Sequence, residues 1–193
     1  MAVTMKTKAD LADKFSGASS LLYQPGKLTL SGSSIGALQP TLDVPVKVDS
    51  LEFEQGEPDI EHYKVIGLAG DWVQSAEPGD ITLGFRVPTK SVDVLEMAYG
   101  SDAVKKNITA TLSGFNYTGN GLILKNKKVT GTWIIVNDTE DQIVIINNAT
   151  LYASLILDQD AKGVIAIDFN GSIESDGSTP DVLFLTKGAA VSG

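Results

Sequence analysis

The sequence predicts a mainly β fold, a β-sandwich or partly rolled β-barrel with one short helix and a long inter-strand loop. Apolar and polar residues alternate with a period of two in several segments, as in strands with one buried face. "TKSVDVLEMAYG", at 89–100, spaces its apolar residues clearly like a helix, whereas residues 1–20 have only a weak helical pattern and are interpreted as an arm or a frayed helix. The chain of 193 residues is 42% hydrophobic, which suffices for one domain with a sizeable core.

The strands are predicted in chain order from their alternation and composition. "VDSLEFE" places Leu51 and Phe53 on one face, "DITLGFRV" runs up to Pro88, and "NITATL" alternates after the helical segment. "VTGTWIIV" is a strong strand whose Trp133 we expect in the core. Residues 141–173 are typical of a strand, a turn, a second strand, a tight turn and a third strand, and 164–169 is apolar on both faces, as in a buried strand.

The helical segment is expected to cover an open side or end of the sheet. Its apolar residues Val92, Leu95 and Tyr99 fall on one helical face. Thr89 or Ser91 can cap the start, and Gly100 suits the position just past the end. A lone short helix is not stable by itself, so this face should pack against the strands.

Residues 55–80 form the predicted long loop, with two prolines, four glycines and no sustained period. The segment is nevertheless too apolar for a disordered linker, and we predict that it contacts a neighbouring subunit. The candidate interface residues are Glu57, Asp59, Ile60, Glu61, His62, Tyr63, Val65, Ile66, Leu68, Asp71 and Trp72.

Charge is distributed unevenly along a chain of net charge −9. Residues 51–80 hold eight acidic side chains and one lysine, whereas 101–130 hold five lysines and one aspartate. The blocks are either alternating solvated faces or two surfaces built to meet each other. In the second interpretation the acidic loop meets a complementary basic face, made of Lys105, Lys106, Lys125, Lys127 and Lys128 of an adjacent copy. The acidity argues against tight binding to a phosphate backbone.

The sequence offers no positive case for an enzyme, a metal site or a cofactor. It has no cysteine, and its one histidine, His62, lies in no recognisable nucleophile motif. "DQDAKG" lacks the ligands of a calcium loop and is better explained as a hairpin turn. No apolar run is long enough to cross a bilayer. The N-terminus lacks the apolar stretch of a secretory signal, so we expect the chain as given to be cytoplasmic.

Two passages and the order of elements resemble a known family. They are "EPGDITLGFRVPTKSVDVLEMAYG" and "IIVNDTEDQIVIINNATLYASLILDQDAKGVIAIDFNG". Together they are similar to the tail tube (major tail) proteins of long-tailed phages, whose relatives include the inner-tube proteins of contractile injection systems and type VI secretion. The match covers roughly residues 45–185. We divide the chain into an N-terminal arm (1–27), a tail-tube-like β domain (28–185) and a C-terminal tail (186–193).

The resemblance implies a structural protein that assembles into stacked rings, expected to be hexameric, around a lumen for genome passage. Its partners would be other copies of itself and other tail proteins, with DNA as a weakly contacted cargo and no membrane. It implies assembly in the cytoplasm of the bacterial host and a final place in the virion tail, of a phage or a prophage. The alternative is a β-sandwich binding or adhesion module that takes carbohydrate through Trp72 or Tyr117.

Overall fold

Fourteen strands and one helix make up the described part of the chain in the computed structural model. It describes residues 15, 17–63, 66, 69, 73–77, 79–89, 91–125, 127–158 and 164–188. The strands are β1 (Ser20–Pro25), β2 (Leu30–Ser31), β3 (Ser34–Ile35), β4 (Leu42–Val44), β5 (Glu52–Gln55), β6 (Asp59–Tyr63), β7 (Val73–Glu77), β8 (Ile81–Val87), β9 (Val104–Leu112), β10 (Phe115–Leu122), β11 (Lys128–Val136), β12 (Gln142–Asp158), β13 (Val164–Ile173) and β14 (Val182–Thr186). The helix α1 spans Val92–Tyr99.

One eight-stranded antiparallel sheet organises the molecule. Its order is β4-β1-β11-β12-β13-β8-β5, and β14 pairs with the first part of β12. The sheet is curled into a half-barrel, which confirms the predicted mainly β fold with one short helix. Among the described strands, three two-stranded ribbons form no strand pairing with this sheet, namely β2–β3, β6–β7 and β9–β10.

The main core lies between one face of the sheet and α1. Its centre is aromatic: the ring of Trp133 lies 4.8 Å from that of Tyr23 and 4.9 Å from that of Phe85, and Phe85 stacks on Phe169. Trp133 is fully buried, as predicted from its apolar strand. A smaller cluster around Ile145 covers part of the opposite face, where the segment after β1 crosses the sheet.

α1 closes the core as expected, although it has only eight residues. Leu95 and Tyr99 are buried, and Val92 packs at the edge of the same cluster. Ser91 is the N-cap residue without a side-chain capping bond, and Thr89 Oγ1 accepts a hydrogen bond from the Ser91 amide instead. At the other end the Gly100 amide bonds to the Glu96 carbonyl at φ 94°, a backbone angle that favours glycine.

β12 is one strand, which corrects the turn predicted within residues 142–158. Asn148 has φ 53°, and the pairing of β11 with β12 shifts by one residue between Gly131 and Trp133. This is a β-bulge, which an asparagine tolerates because it adopts positive φ more readily than most residues. Because of the bulge, even-numbered residues face the core before it, namely Val144 and Ile146, and odd-numbered residues, 149 and 151, face the core after it. The tight turn predicted around 159–162 lies outside the described residues.

The sheet also begins earlier than predicted. β1 lies within the segment assigned to an N-terminal arm (1–27), yet it pairs with both β11 and β4, and Leu21 is buried. Both faces of β1 are partly covered, so its sequence "SLLYQP" has two adjacent leucines and no clean alternation of apolar and polar residues. A strand of this kind is not recognisable from alternation. At the other terminus β14 ends at Thr186, the first residue of the predicted tail (186–193).

Two predicted burials are wrong. Phe53, expected on a buried face, is 38% exposed because β5 is the edge strand of the sheet, and all four of its residues are exposed. Ile165, expected in a strand buried on both faces, is also exposed, as is Leu155 on the neighbouring β12. β8 pairs with β13 only from Ile167 onward, so this end of the β12–β13 pair has no third strand beside it.

Leu95→Ala is expected to lower the free energy of unfolding by about 2–5 kcal/mol, because it removes a buried side chain from the helix–sheet contact. Chemical denaturation followed by circular dichroism measures the loss. Asp93→Ala is the matched control, since Asp93 is exposed on the same helix and its replacement should change stability by less than about 0.5 kcal/mol. Equal effects of the two changes would contradict this packing.

Candidate assembly surfaces

The segment predicted as a long loop (55–80) contains a β-hairpin. β6 and β7 pair antiparallel, with Asp59 opposite Glu77 and Ile60 opposite Ala76. This corrects the loop prediction. The two strands are only five residues each, and the glycines and prolines around them hid their period.

The predicted interface residues divide into three groups. Those that the structure describes as exposed are Glu57, Asp59, Ile60, Glu61, His62 and Ile66. Tyr63 is the last residue of β6. Those that lie outside the described residues are Val65, Leu68, Asp71 and Trp72. The exposed group lies on or beside one hairpin, whose strands bond only to each other among the described strands.

One face of the β6–β7 hairpin is acidic. Asp59 and Glu61 are two residues apart on β6 and therefore share a face, and Glu77 lies directly opposite Asp59. Like charges opposite each other on paired strands destabilise the pairing. A basic surface brought against this face would relieve the repulsion.

The five lysines predicted as one complementary basic face do not form a free basic surface. Lys106 pairs with Glu96 at 2.7 Å, Lys128 pairs with Glu174 at 2.6 Å, and Lys125 pairs with Asp102. The hydrogen bond from Lys128 lowers the pKa of Glu174, and that from Lys125 lowers the pKa of Asp102. Lys105 is exposed on β9.

Lys127 has a structural position that the sequence did not suggest. Its Nζ donates to the carbonyl of Met97 at 3.0 Å and to that of Glu96 at 3.3 Å. These carbonyls lie in the last turn of α1, where a positive charge is favourable. Four of the five lysines therefore form contacts within their own chain. A contact with another copy would involve Lys105 and the solvent-exposed sides of these ion pairs.

The β9–β10 hairpin is a second surface, which was not predicted from the sequence. The pairing places Leu112 opposite Phe115 and Ala110 opposite Tyr117, so these residues share one face with Ile108. The other face carries only uncharged polar side chains at its centre, namely Thr109, Thr111, Asn116 and Thr118. Leu112, Phe115 and Tyr117 are 66%, 69% and 55% exposed. The hairpin is thus amphipathic, and its apolar face is open to solvent.

A sequence signal for this hairpin exists. "ITATL" and "FNYTG" both alternate, and the two residues between them, Ser113 and Gly114, have φ 50° and 83°. Two consecutive residues with positive φ are typical of the tight turns that join two strands. Ser-Gly is a weaker signal for such a turn than Asn-Gly or Asp-Gly, and the connection between the two strands was not recognised.

The described residues contain neither a metal-ligand group nor a helix that could span a membrane. They contain no group of three or more His, Cys, Asp or Glu side chains that could hold a metal ion. The one histidine, His62, is exposed on the β6–β7 hairpin. Within the same residues, no helix has the length and apolar character needed to cross a membrane.

Comparison of the sequence with family models and curated proteins identifies no relative. No family model matches this chain, and no curated protein matches it at a significant level. The fold and the two hairpins are therefore the basis for a functional assignment, together with the sequence resemblance given above.

Proposed function

We propose that this protein is the structural subunit of a phage or prophage tail tube, which assembles into stacked, hexameric rings around a lumen. The observation that carries the proposal is the open apolar face of the β9–β10 hairpin. An isolated two-stranded hairpin is at best marginally stable in water, and an exposed row of Leu112, Phe115 and Tyr117 is a site for association. Neighbouring subunits that cover the hairpins would both stabilise these two-stranded ribbons and remove their apolar face from water.

The second support is that the two hairpins differ in character. β9–β10 offers an apolar face, whereas β6–β7 offers an acidic face with Asp59, Glu61 and Glu77. Unlike surfaces on one subunit favour a heterologous contact, in which one patch of a copy meets a different patch of the next. Such contacts close into a ring or continue as a filament, and a tube of stacked rings uses both.

The third support is electrostatic. DNA that passes through a tube must not adhere to it, and binding to the phosphate backbone depends on clustered Lys and Arg. The subunit carries a net charge of −9, and three of the lysines in the basic stretch are engaged with carboxylates. In the proposed tube DNA is a weakly contacted cargo, and the other partners are further tail proteins at the ends of the tube.

Sedimentation velocity at increasing protein concentration tests the contribution of the β6–β7 hairpin. Replacement of residues 58–74 by a short Gly-Ser bridge is expected to leave the main sheet folded and to abolish large species, because the deletion removes β6. A milder variant, Asp59→Asn with Glu77→Gln, keeps the hairpin and should mainly slow association and reduce its salt dependence. If the deleted protein forms the same large species as the parent, this hairpin is not a subunit contact.

A further inference from the structure

Apart from the end of the β12–β13 pair that extends beyond its neighbours, the main sheet has three edge strands in the described part of the chain, and only one of them is unprotected. β4 is three residues long and lies between Pro40 and Pro45, and β5 carries Glu52 and Glu54. Short length, proline and charge are the usual means of preventing a sheet edge from pairing with another chain. β14, with the sequence "VLFLT", has neither proline nor charge within it.

The backbone of β14 shows which of its groups face away from the sheet. The amide of Lys187 donates to the Asp141 carbonyl at 2.7 Å, and the amide of Asn147 donates to the Asp181 carbonyl at 2.8 Å. In an antiparallel pair, hydrogen-bonded residues alternate with residues whose N–H and C=O groups point away. Because the odd-numbered residues of β14 bond to β12, the outward groups belong to Val182, Phe184 and Thr186.

These outward groups are self-complementary. If a second copy of β14 pairs antiparallel about a two-fold axis at Phe184, residue 184 bonds to its own equivalent, and Val182 bonds to Thr186 of the second copy. The same register places Asp181 opposite Lys187 of the second copy, twice by symmetry. Opposite charges at both ends and an aromatic pair at the centre are favourable cross-strand pairs.

We propose that β14 is the docking edge for a second copy of this chain, forming a two-fold dimer whose sheets are continuous through paired β14 strands. The exposure of Phe184, 75%, is unusual for an apolar side chain in a strand that already has one paired edge. The dimer covers this side chain and the outward-facing backbone groups of β14 together.

The dimer is a different state from the proposed tube. A two-fold contact uses the same patch on both copies, whereas head-to-tail rings use different patches, so the two contacts are separable. In the dimer the outer edge of each β14 is already paired, so it cannot pair with a strand of a further chain.

A cysteine scan tests the register directly, because the chain contains no cysteine. Phe184→Cys places two thiols on the two-fold axis, where paired Cα atoms about 5.5 Å apart can be bridged by a disulfide. Thr186→Cys is the matched control, because its equivalent in the second copy is four residues further along the antiparallel pair, roughly 13 Å away. Mild oxidation is expected to convert Phe184→Cys to a covalent dimer, while Thr186→Cys stays uncross-linked.

Charge variants supply an independent measurement. Asp181→Lys places two lysines opposite each other in this register and should weaken the dimer by about tenfold in sedimentation equilibrium. Adding Lys187→Asp restores opposite charges and should recover most of the loss.

Two outcomes would overturn the proposal and leave the tube assignment unaffected. A parent protein that shows no dimer at concentrations below those at which it forms rings, together with a Phe184→Cys variant that does not cross-link, would mean that no second copy docks on β14. Equal cross-linking of the Phe184→Cys and Thr186→Cys variants would exclude the two-fold register.

Discussion

Phe115→Thr combined with Tyr117→Thr is expected to abolish ring and tube assembly while leaving the subunit folded. Both side chains lie on the open apolar face of the β9–β10 hairpin, and neither contributes to the buried core. Threonine has the β-branched character that strands favour, so the hairpin should keep its conformation. Large aromatic side chains usually dominate the binding energy of an interface, so their loss should remove the large species.

The control lies on the opposite face of the same strands. Thr109→Ser combined with Thr118→Ser changes two exposed residues that are paired across the hairpin. We expect this variant to assemble like the parent, because its apolar face is intact. Circular dichroism and sedimentation velocity are measured for both variants. Assembly of the Phe115→Thr, Tyr117→Thr variant at the parent concentration would show that the apolar face is not a subunit contact.

Trp133→Ala is expected to lower the free energy of unfolding by about 3–5 kcal/mol, the range for truncation of a buried large aromatic side chain. Trp133 is fully buried at the centre of the sheet and contacts the rings of Tyr23 and Phe85. Truncation leaves a cavity bordered by strands on each side, which the sheet cannot close without losing register. Urea unfolding measures the loss.

Trp133→Phe separates the contribution of aromatic packing from the effect of the buried indole N–H donor. The indole Nε1 of Trp133 is buried without a hydrogen-bond partner among the described residues. Phenylalanine removes that donor and keeps most of the ring contacts, so the loss should be clearly smaller than for alanine. Equal losses from the two substitutions would mean that the aromatic packing around Trp133 is not what stabilises this part of the core.

Much of the fold could be predicted because local pattern and tertiary environment agree. The helix was recognisable from Val92, Leu95 and Tyr99, since it is amphipathic and packs on one face. The strand around Trp133 was recognisable because it is strongly apolar and lies inside the sheet. β1 was missed because both of its faces are partly covered, and a strand of that kind has no alternation to detect.

The bulge in β12 shows a different limit. Asn147 and Asn148 are typical of a turn in a single sequence, but the structure uses them inside a continuous strand. Asn147 is buried: its Oδ1 accepts from the Leu28 amide at 2.8 Å and from the Thr132 hydroxyl at 3.2 Å. Leu28 is 119 residues away along the chain, so no local pattern could have indicated that a bulge rather than a turn was favoured.

The candidate surfaces were predicted less well than the fold. The acidic segment with Asp59 and Ile60 was predicted from the sequence as a contact to a neighbouring subunit, which stays a prediction, whereas the hairpin that these residues form was not predicted. The lysines were grouped by proximity in sequence, whereas Lys106 and Lys128 each pair with a carboxylate on another element. A block of charged residues in a sequence does not show which way its side chains point or which residues they pair with, because both depend on how the strands are placed.

Electron microscopy of the purified, concentrated protein tests the central proposal most directly. Negatively stained samples are expected to show rings and tubes of uniform diameter with a central lumen, since open hairpin faces such as that of Phe115 would be covered by neighbours. Rotational averages of the rings should show six-fold symmetry. Particles no larger than a monomer or a two-fold dimer at every concentration, most clearly if they also bind glycans, would contradict the assignment to a tail tube.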